Sequence, residues 1–118
     1  MRSLWPLWLC VGAMLVALAL SFCTPADAHD APSGWSYPFS CCSGVDCREV
    51  DGPDAVRMSH KVQIGRTGDR YVISTTGEAI AETDARVKDS PDGAWHWCSQ
   101  GGRDDGRTIC LFRPPNMF

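Results

Sequence analysis

Apolar residues crowd the start of the chain and then thin out into short alternations. From Leu4 to Phe22 no side chain is charged, and the run from Val11 to Phe22 is the densest part. Arg2 precedes this stretch, and Thr24-Pro25-Ala26-Asp27-Ala28 follows it. A basic residue, an apolar run and a small-x-small end form the pattern of a secretory signal peptide, because only small side chains such as those of Ala26 and Ala28 suit the peptidase. The expectation is a signal peptide over residues 1–28, cut between Ala28 and His29. A retained membrane anchor is the competing reading, since the 19 residues from Leu4 to Phe22 would just span a bilayer. The Ala-x-Ala end favours cleavage.

Beyond the cut the pattern changes twice. Residues 29–40 hold Pro32, Gly34 and Pro38 among Trp35, Tyr37 and Phe39. Proline and glycine oppose a helix here, so an extended arm is expected, with the three aromatics alternating onto one face. Packing beside the cysteines explains those aromatics better than a ligand platform does. Residues 41–118 then read as a disulfide-rich β domain. Cys41 to Cys47 is a tight turn and Arg48–Val50 a short strand. Arg57–Ile64 alternates, with Met58, His60, Val62 and Ile64 on one face, and Arg70–Thr75 is β-branched and aromatic. Gly65–Asp69 should be the loop joining these two. Glu78–Ala81 suggests a third strand and Thr83–Lys88 one helical turn. Ser90-Pro91-Asp92-Gly93 has the residue order of a type I turn.

The last hairpin is the clearest. Ala94–Cys98 and Thr108–Phe112 flank a polar loop, Ser99–Arg107. A period of two puts Trp95 and Trp97 on one face and His96 and Cys98 on the other. Likewise Ile109 and Leu111 should oppose Cys110 and Phe112. The fold class expected is mainly β: a small disulfide-stabilised antiparallel sheet of five or six short strands, with little helix after the signal peptide.

Cysteine usage fits that class. Loss of 28 of the 118 residues leaves 90 and removes Cys10 and Cys23, so that Cys41, Cys42, Cys47, Cys98 and Cys110 remain. In an exported chain of this size disulfides are the expected state. Five is odd, so one thiol is left over or pairs between chains into a disulfide-linked dimer. A bridge between neighbours is strained, so Cys41 and Cys42 should face different partners, and one of them is the expected leftover. A bridge from the Cys41–Cys47 cluster to Cys98 or Cys110 closes a long loop, worth about 4 kcal/mol in the chain-entropy model. Thiolate zinc is weaker, because neither Cys-x-x-Cys nor His-x-x-x-His occurs.

Three strings carry a resemblance: Cys41-Cys-Ser-Gly-x-Asp-Cys47, Ser90-Pro-Asp-Gly-x-x-His-x-Cys98 and Cys110-x-Phe-x-Pro-Pro115. Together they resemble a group of small exported cysteine-rich proteins of alphaproteobacteria that has no assigned activity. In that group Trp and Tyr stand side by side before the Cys-Cys pair, whereas here Ser36 separates Trp35 from Tyr37. The resemblance implies export and a small stapled fold, and it implies no reaction.

Charge narrows the partners. The net charge is −3, and no basic run occurs. Nothing therefore suggests nucleic acid or an anionic membrane surface. No stable membrane insertion is expected after cleavage. The chain also lacks a Gly-x-Ser-x-Gly elbow and a Cys-x-x-Cys redox pair, so an enzyme is not indicated. The first functional expectation is a periplasmic or secreted, non-catalytic module that binds an envelope protein or a small ligand. The second is a copper-binding protein. Cleavage would make His29 amino-terminal, and its amine and ring nitrogen with the imidazole of His96 would give a nitrogen-rich site that suits copper. A thiol-redox protein is the third. Against the copper reading, His96 in a tight strand serves equally as a structural histidine bonded near the cysteines.

Overall fold

The computed structural model describes residues 5–21, 30–42 and 44–115. The first element, α1 (Trp5–Ser21), is rich in Leu and Ala, which favour helix. Its large apolar side chains remain exposed. Among the described residues no helix is long and apolar enough to cross a membrane.

The rest is sheet. Seven short strands follow: β1 (Cys47–Val50), β2 (Ile64–Thr67), β3 (Arg70–Ile73), β4 (Ala79–Ala81), β5 (Val87–Asp89), β6 (Trp95–Ser99) and β7 (Thr108–Arg113). They form a four-stranded sheet in the order β1-β6-β7-β5 and a three-stranded sheet in the order β2-β3-β4. Every pair is antiparallel except β5 with β7, which is parallel.

β6 is the centre of the fold, with all five residues buried. Alternation explains how. Trp95 and Trp97 turn to one side and pack with Val50, Leu111 and, from the second sheet, Ile64, Tyr71, Ile73 and Ile80. Each fully buried side chain of this size contributes about 1.5–3 kcal/mol. His96 and Cys98 face the opposite side; Cys98 joins Cys47, Cys110 and Phe112 in a second cluster, which also holds Ala31, Tyr37, Cys41 and Cys42 from the arm. The result is three layers: second sheet, first sheet, arm. One position breaks the expected alternation. Cys98 pairs with Cys110 while Ser99 pairs with Thr108, so Ile109 is an extra bulged residue. It therefore packs with the cysteine cluster rather than opposite it.

Several local expectations are corrected. Arg57–Gln63 is not a strand. It is irregular chain in which Met58 is exposed, and β2 begins only at Ile64. Val62 and Ile64 do turn inward, held by bonds between Asp51 and their backbone: Asp51 N–H to Val62 C=O at 3.2 Å and Ile64 N–H to Asp51 C=O at 2.7 Å. The loop to β3 shrinks to two residues, Gly68 and Asp69, because Thr67 already pairs with Arg70. Gly68 sits at φ 59°, where a residue without a side chain is favoured. Thr83–Lys88 is not helical but a turn leading into β5. Arg86 holds that turn, donating to Asp84, Glu78 and the carbonyl of Thr108. The arm is looped rather than extended. Asp30 bridges to Ser36, and Ala31 N–H donates to Trp35 C=O at 2.8 Å. Phe39 is exposed and does not join Trp35 and Tyr37 in the interior.

Gly52, just after β1, lies against the indole of Trp95. A Cβ there would come within 2.1 Å of Trp95 Nε1. The ring belongs to the core and cannot swing away freely, so Gly52→Ala is an overpacking change. We expect a loss of about 2 kcal/mol in urea unfolding, whereas Gly77→Ala, with open space beyond the Cα, should cost only its backbone strain. Equal losses at the two positions would show that the Trp95 contact is loose.

Candidate functional site

The first layer of the site is sulfur. β1, β6 and β7 bring Cys47, Cys98 and Cys110 into register across three adjacent strands. Cys47 bonds Cys98, and Cys110 bonds Cys41 at the end of the arm. The sequence separations are 51 and 69 residues, so both bridges close long loops. Of the five candidates this leaves Cys42, whose thiol is buried and lies 3.3 Å from the carbonyl of Gly44. The neighbours do face different partners, as steric strain requires. With Cys42 sealed in the interior, a disulfide-linked dimer would require the arm to lift first. The four bridged cysteines also cannot act as thiolate metal ligands, and no group of three or more candidate ligands occurs among the described residues.

The second layer is a buried polar chain centred on His96, which is 0% exposed. The turn Ser90–Gly93 places Asp92 four residues before it. His96 Nε2 lies 2.9 Å from both carboxylate oxygens of Asp92. A carboxylate only accepts, so Nε2 carries the hydrogen. In the neutral ring Nδ1 is then an acceptor, and the Tyr37 hydroxyl donates to it at 2.8 Å. Asp92 collects three more donors: Ser33 Oγ at 2.5 Å, Trp35 Nε1 at 3.0 Å and the Ala94 backbone N–H at 3.0 Å. Rings close over this chain, with Trp35 edge-on to His96 at 5.2 Å and to Tyr37 at 4.8 Å.

The electrostatics follow. Burial works against ionisation of Asp92, but the hydrogen bonds from Ser33, His96, Ala94 and Trp35 outweigh it and hold the carboxyl well below the usual carboxylate range. Burial first, and then the charge on Asp92, push the Tyr37 phenol well above its ordinary value. Both groups keep their protonation states near neutral pH: Asp92 stays ionised and Tyr37 stays protonated. The chain therefore fastens the arm to the sheet through residues from both.

No protein-family model, curated protein or solved structure matches the chain.

His29 lies outside the described residues. His96, its expected partner for copper, has both ring nitrogens engaged, so a metal ion taking either one would have to displace Tyr37 or Asp92. The structural alternative for His96 has different partners from those expected: a phenol and a carboxylate rather than the backbone near the cysteines. Asp92 and Tyr37 were not singled out as its partners, although both stand in the motif strings around Ser90–Cys98 and Trp35–Tyr37.

A second histidine is also fixed. His60 Nδ1 lies 2.9 Å from Asp51 Oδ1, and the His60 backbone N–H donates to Asp51 Oδ2 at 2.8 Å. The backbone bond and then the ring bond hold the Asp51 carboxyl below its ordinary value. His60 lines a groove of about 430 Å³ that also includes Arg48, Glu49, Lys61 and Asp104. Arg48 lies over the Trp97 ring at 4.9 Å and donates to the Gly102 carbonyl at 2.7 Å. Arg48 and Lys61 both pair with Asp104, so the groove's charges are largely used up among themselves.

Proposed function

We propose that the chain is exported, cut after Ala28, and acts outside the cytoplasm as a small non-catalytic binding module. One observation carries this reading: among the described residues after α1, all five cysteines, His96 and Tyr37 are buried and already bonded. Four cysteines are bridged, Cys42 is buried, and His96, Tyr37 and Asp92 bond one another. Two long-range disulfides suit an oxidising compartment. What remains on the surface is shape and charge, the means of a binding protein rather than of an enzyme.

The test is intact mass of the chain expressed with export, after alkylation under native conditions, after denaturation and after reduction. The expected chain begins at His29. It takes no label when native, one when denatured and five when reduced, as two bridges and a buried Cys42 require. A chain that keeps residues 1–28, or takes several labels without reduction, overturns the reading. Binding is read by capture from an envelope extract.

A further inference from the structure

We propose that the outer edge of β2 takes up an extended peptide segment of an envelope partner as an added parallel strand. This rests on the binding-module reading and gives it a partner class. β2 is an edge strand of the second sheet. Its pairing with β3 alternates along the chain. Ser74 N–H donates to Gln63 C=O, so Gly65 and Thr67 bond inward to β3, while Ile64 and Arg66 turn their main-chain groups outward. Asp51 already holds the Ile64 N–H, at 2.7 Å, and its pairing here is parallel. Two residues further on, the chain would stand opposite Gly65. That residue is Pro53, which has no N–H to give to Ile64 C=O, and the chain turns away over Gly52–Ala55. Ile64 C=O and the Arg66 N–H and C=O are left without a partner among the described residues.

An open edge is ordinarily guarded by a charged side chain. Here the guard is drawn off, because Arg66 pairs with Glu82 at 2.9 Å and lies over the ring of Tyr71 on the inner face of the sheet. On the other face a groove of about 390 Å³ adjoins the edge, lined by Pro53, Met58, Gly65, Arg66 and Val72 among others. Met58 is apolar and 68% exposed, and Gly65 puts no side chain into the space. Along the strand the open groups run acceptor, donor, acceptor. An extended main chain in parallel register matches all three. Its residue facing Gly65 donates to Ile64 C=O and accepts from Arg66 N–H, and the residue two further on donates to Arg66 C=O. An antiparallel strand would leave one of its own carbonyls unpaired opposite Ile64, since Asp51 holds that N–H. In the parallel register the side chain facing Gly65 lies on the groove side, where Met58 and Val72 favour an apolar residue.

The test uses the full chain, labelled with ¹⁵N and kept in solution with a non-ionic detergent. The probes are acetyl-Thr-Val-Thr-Thr-amide and its N-methylvaline counterpart, which keeps the side chains and loses the valine N–H. The first peptide should move the Arg66 backbone N–H resonance downfield with a millimolar Kd, and the N-methyl peptide should bind about tenfold more weakly. Arg66→Pro removes the outward donor at an edge position where proline is tolerated, whereas Arg66→Thr keeps the donor and loses the side chain. Read from the Gly65 N–H resonance, the proline variant should bind about tenfold more weakly and the threonine variant as the parent does. If Arg66→Pro loses the parent's circular dichroism, the N-methyl peptide on the parent chain decides alone. No movement with the first peptide, equal binding of the N-methyl peptide, or the parent's Kd in a folded Arg66→Pro variant each overturns the proposal. Movement of the Arg66 resonance on raising the protein concentration without peptide also overturns it, since a second copy then covers the edge. Capture of an envelope partner equally well by the parent and a folded Arg66→Pro variant overturns it too, but leaves the binding-module reading standing. Absence of any captured partner counts against that reading itself.

Discussion

Replacing both Cys41 and Cys110 by alanine is expected to lower the free energy of unfolding by about 4 kcal/mol. The bridge spans 69 residues, and in the chain-entropy model its loss frees the unfolded chain, so that folding must then supply the entropy of closing the loop. A domain of this size has about 5–13 kcal/mol in all, so the variant would stand near the edge of folding at 37 °C. Its arm should suffer first, because Cys41 is the arm's covalent attachment to β7. The control is Cys42→Ala. It removes a sulfur from the same cluster but keeps both bridges, and should cost about 1 kcal/mol, as a small cavity does. Urea unfolding followed by circular dichroism measures both. If the two variants lose the same amount, local packing and not loop closure is what the sulfur cluster contributes.

The contrast between these cysteines also shows how far the chain could be read without its structure. The alternation of Trp95, His96, Trp97 and Cys98 was legible because a central strand covered on both faces must sort its side chains strictly. It correctly separated the tryptophan layer from the sulfur layer. Ile109 escaped because a bulge adds a residue without leaving a mark on polarity. The alternation over Arg57–Ile64 misled for a different reason. Met58 is apolar but lies exposed on irregular chain, and periodicity alone does not distinguish an inward apolar residue from an outward one. β5 was misread because Val87–Asp89 is too short to carry a pattern. Its strand character comes from the parallel pairing with Leu111–Arg113, a contact remote in sequence.

The same logic applies to the site. His96 was legible as a residue with a special environment, since it stands between two tryptophans in a tight strand. Its partners were not, because their contact depends on two turns closing at once. The turn at Ser90–Gly93 aims Asp92 back at His96, and the loop at Asp30–Ser36 brings Ser33 and Trp35 to the same carboxylate. The turn at Ser90–Gly93 could be anticipated from its proline and glycine, whereas those of the arm pointed to an extended segment and not to the loop at Asp30–Ser36. The meeting of the two at Asp92 could not be anticipated either, as Ser33 and Asp92 are 59 residues apart. A polar side chain in a turn usually faces water. Asp92 is the exception because donors from the arm enclose it, and its side chain is only 13% exposed.

That enclosure gives Asp92→Ala the other large expected effect. The variant strands His96 Nε2–H inside the protein and removes the acceptor from Ser33, Trp35 and the Ala94 backbone together. A buried donor left unpaired costs about 1–3 kcal/mol, and more where charge was involved. With His96 fully buried, Trp35 and Ala94 partly so and Ser33 exposed, we expect a total loss of about 3 kcal/mol at pH 7. Asp92→Asn keeps one acceptor oxygen but not the charge, and should fall between the parent and alanine. The pH dependence separates an electrostatic role from simple packing. The folded carboxyl of Asp92 is held below its unfolded value, so its contribution is complete above pH ~4 and fades as pH falls through the acid range. Between pH 4 and pH 3 the parent should lose up to about 1 kcal/mol from this group, less what solvent screening removes. The alanine variant lacks that loss, so the gap between the two should narrow toward acid. A gap that stays constant from pH 7 to pH 3 would mean that Asp92 holds the arm by shape alone. A narrowing gap, with the near-ultraviolet signal of Trp35 lost alongside, would show that the carboxylate's charge is what fastens the arm over the sulfur cluster.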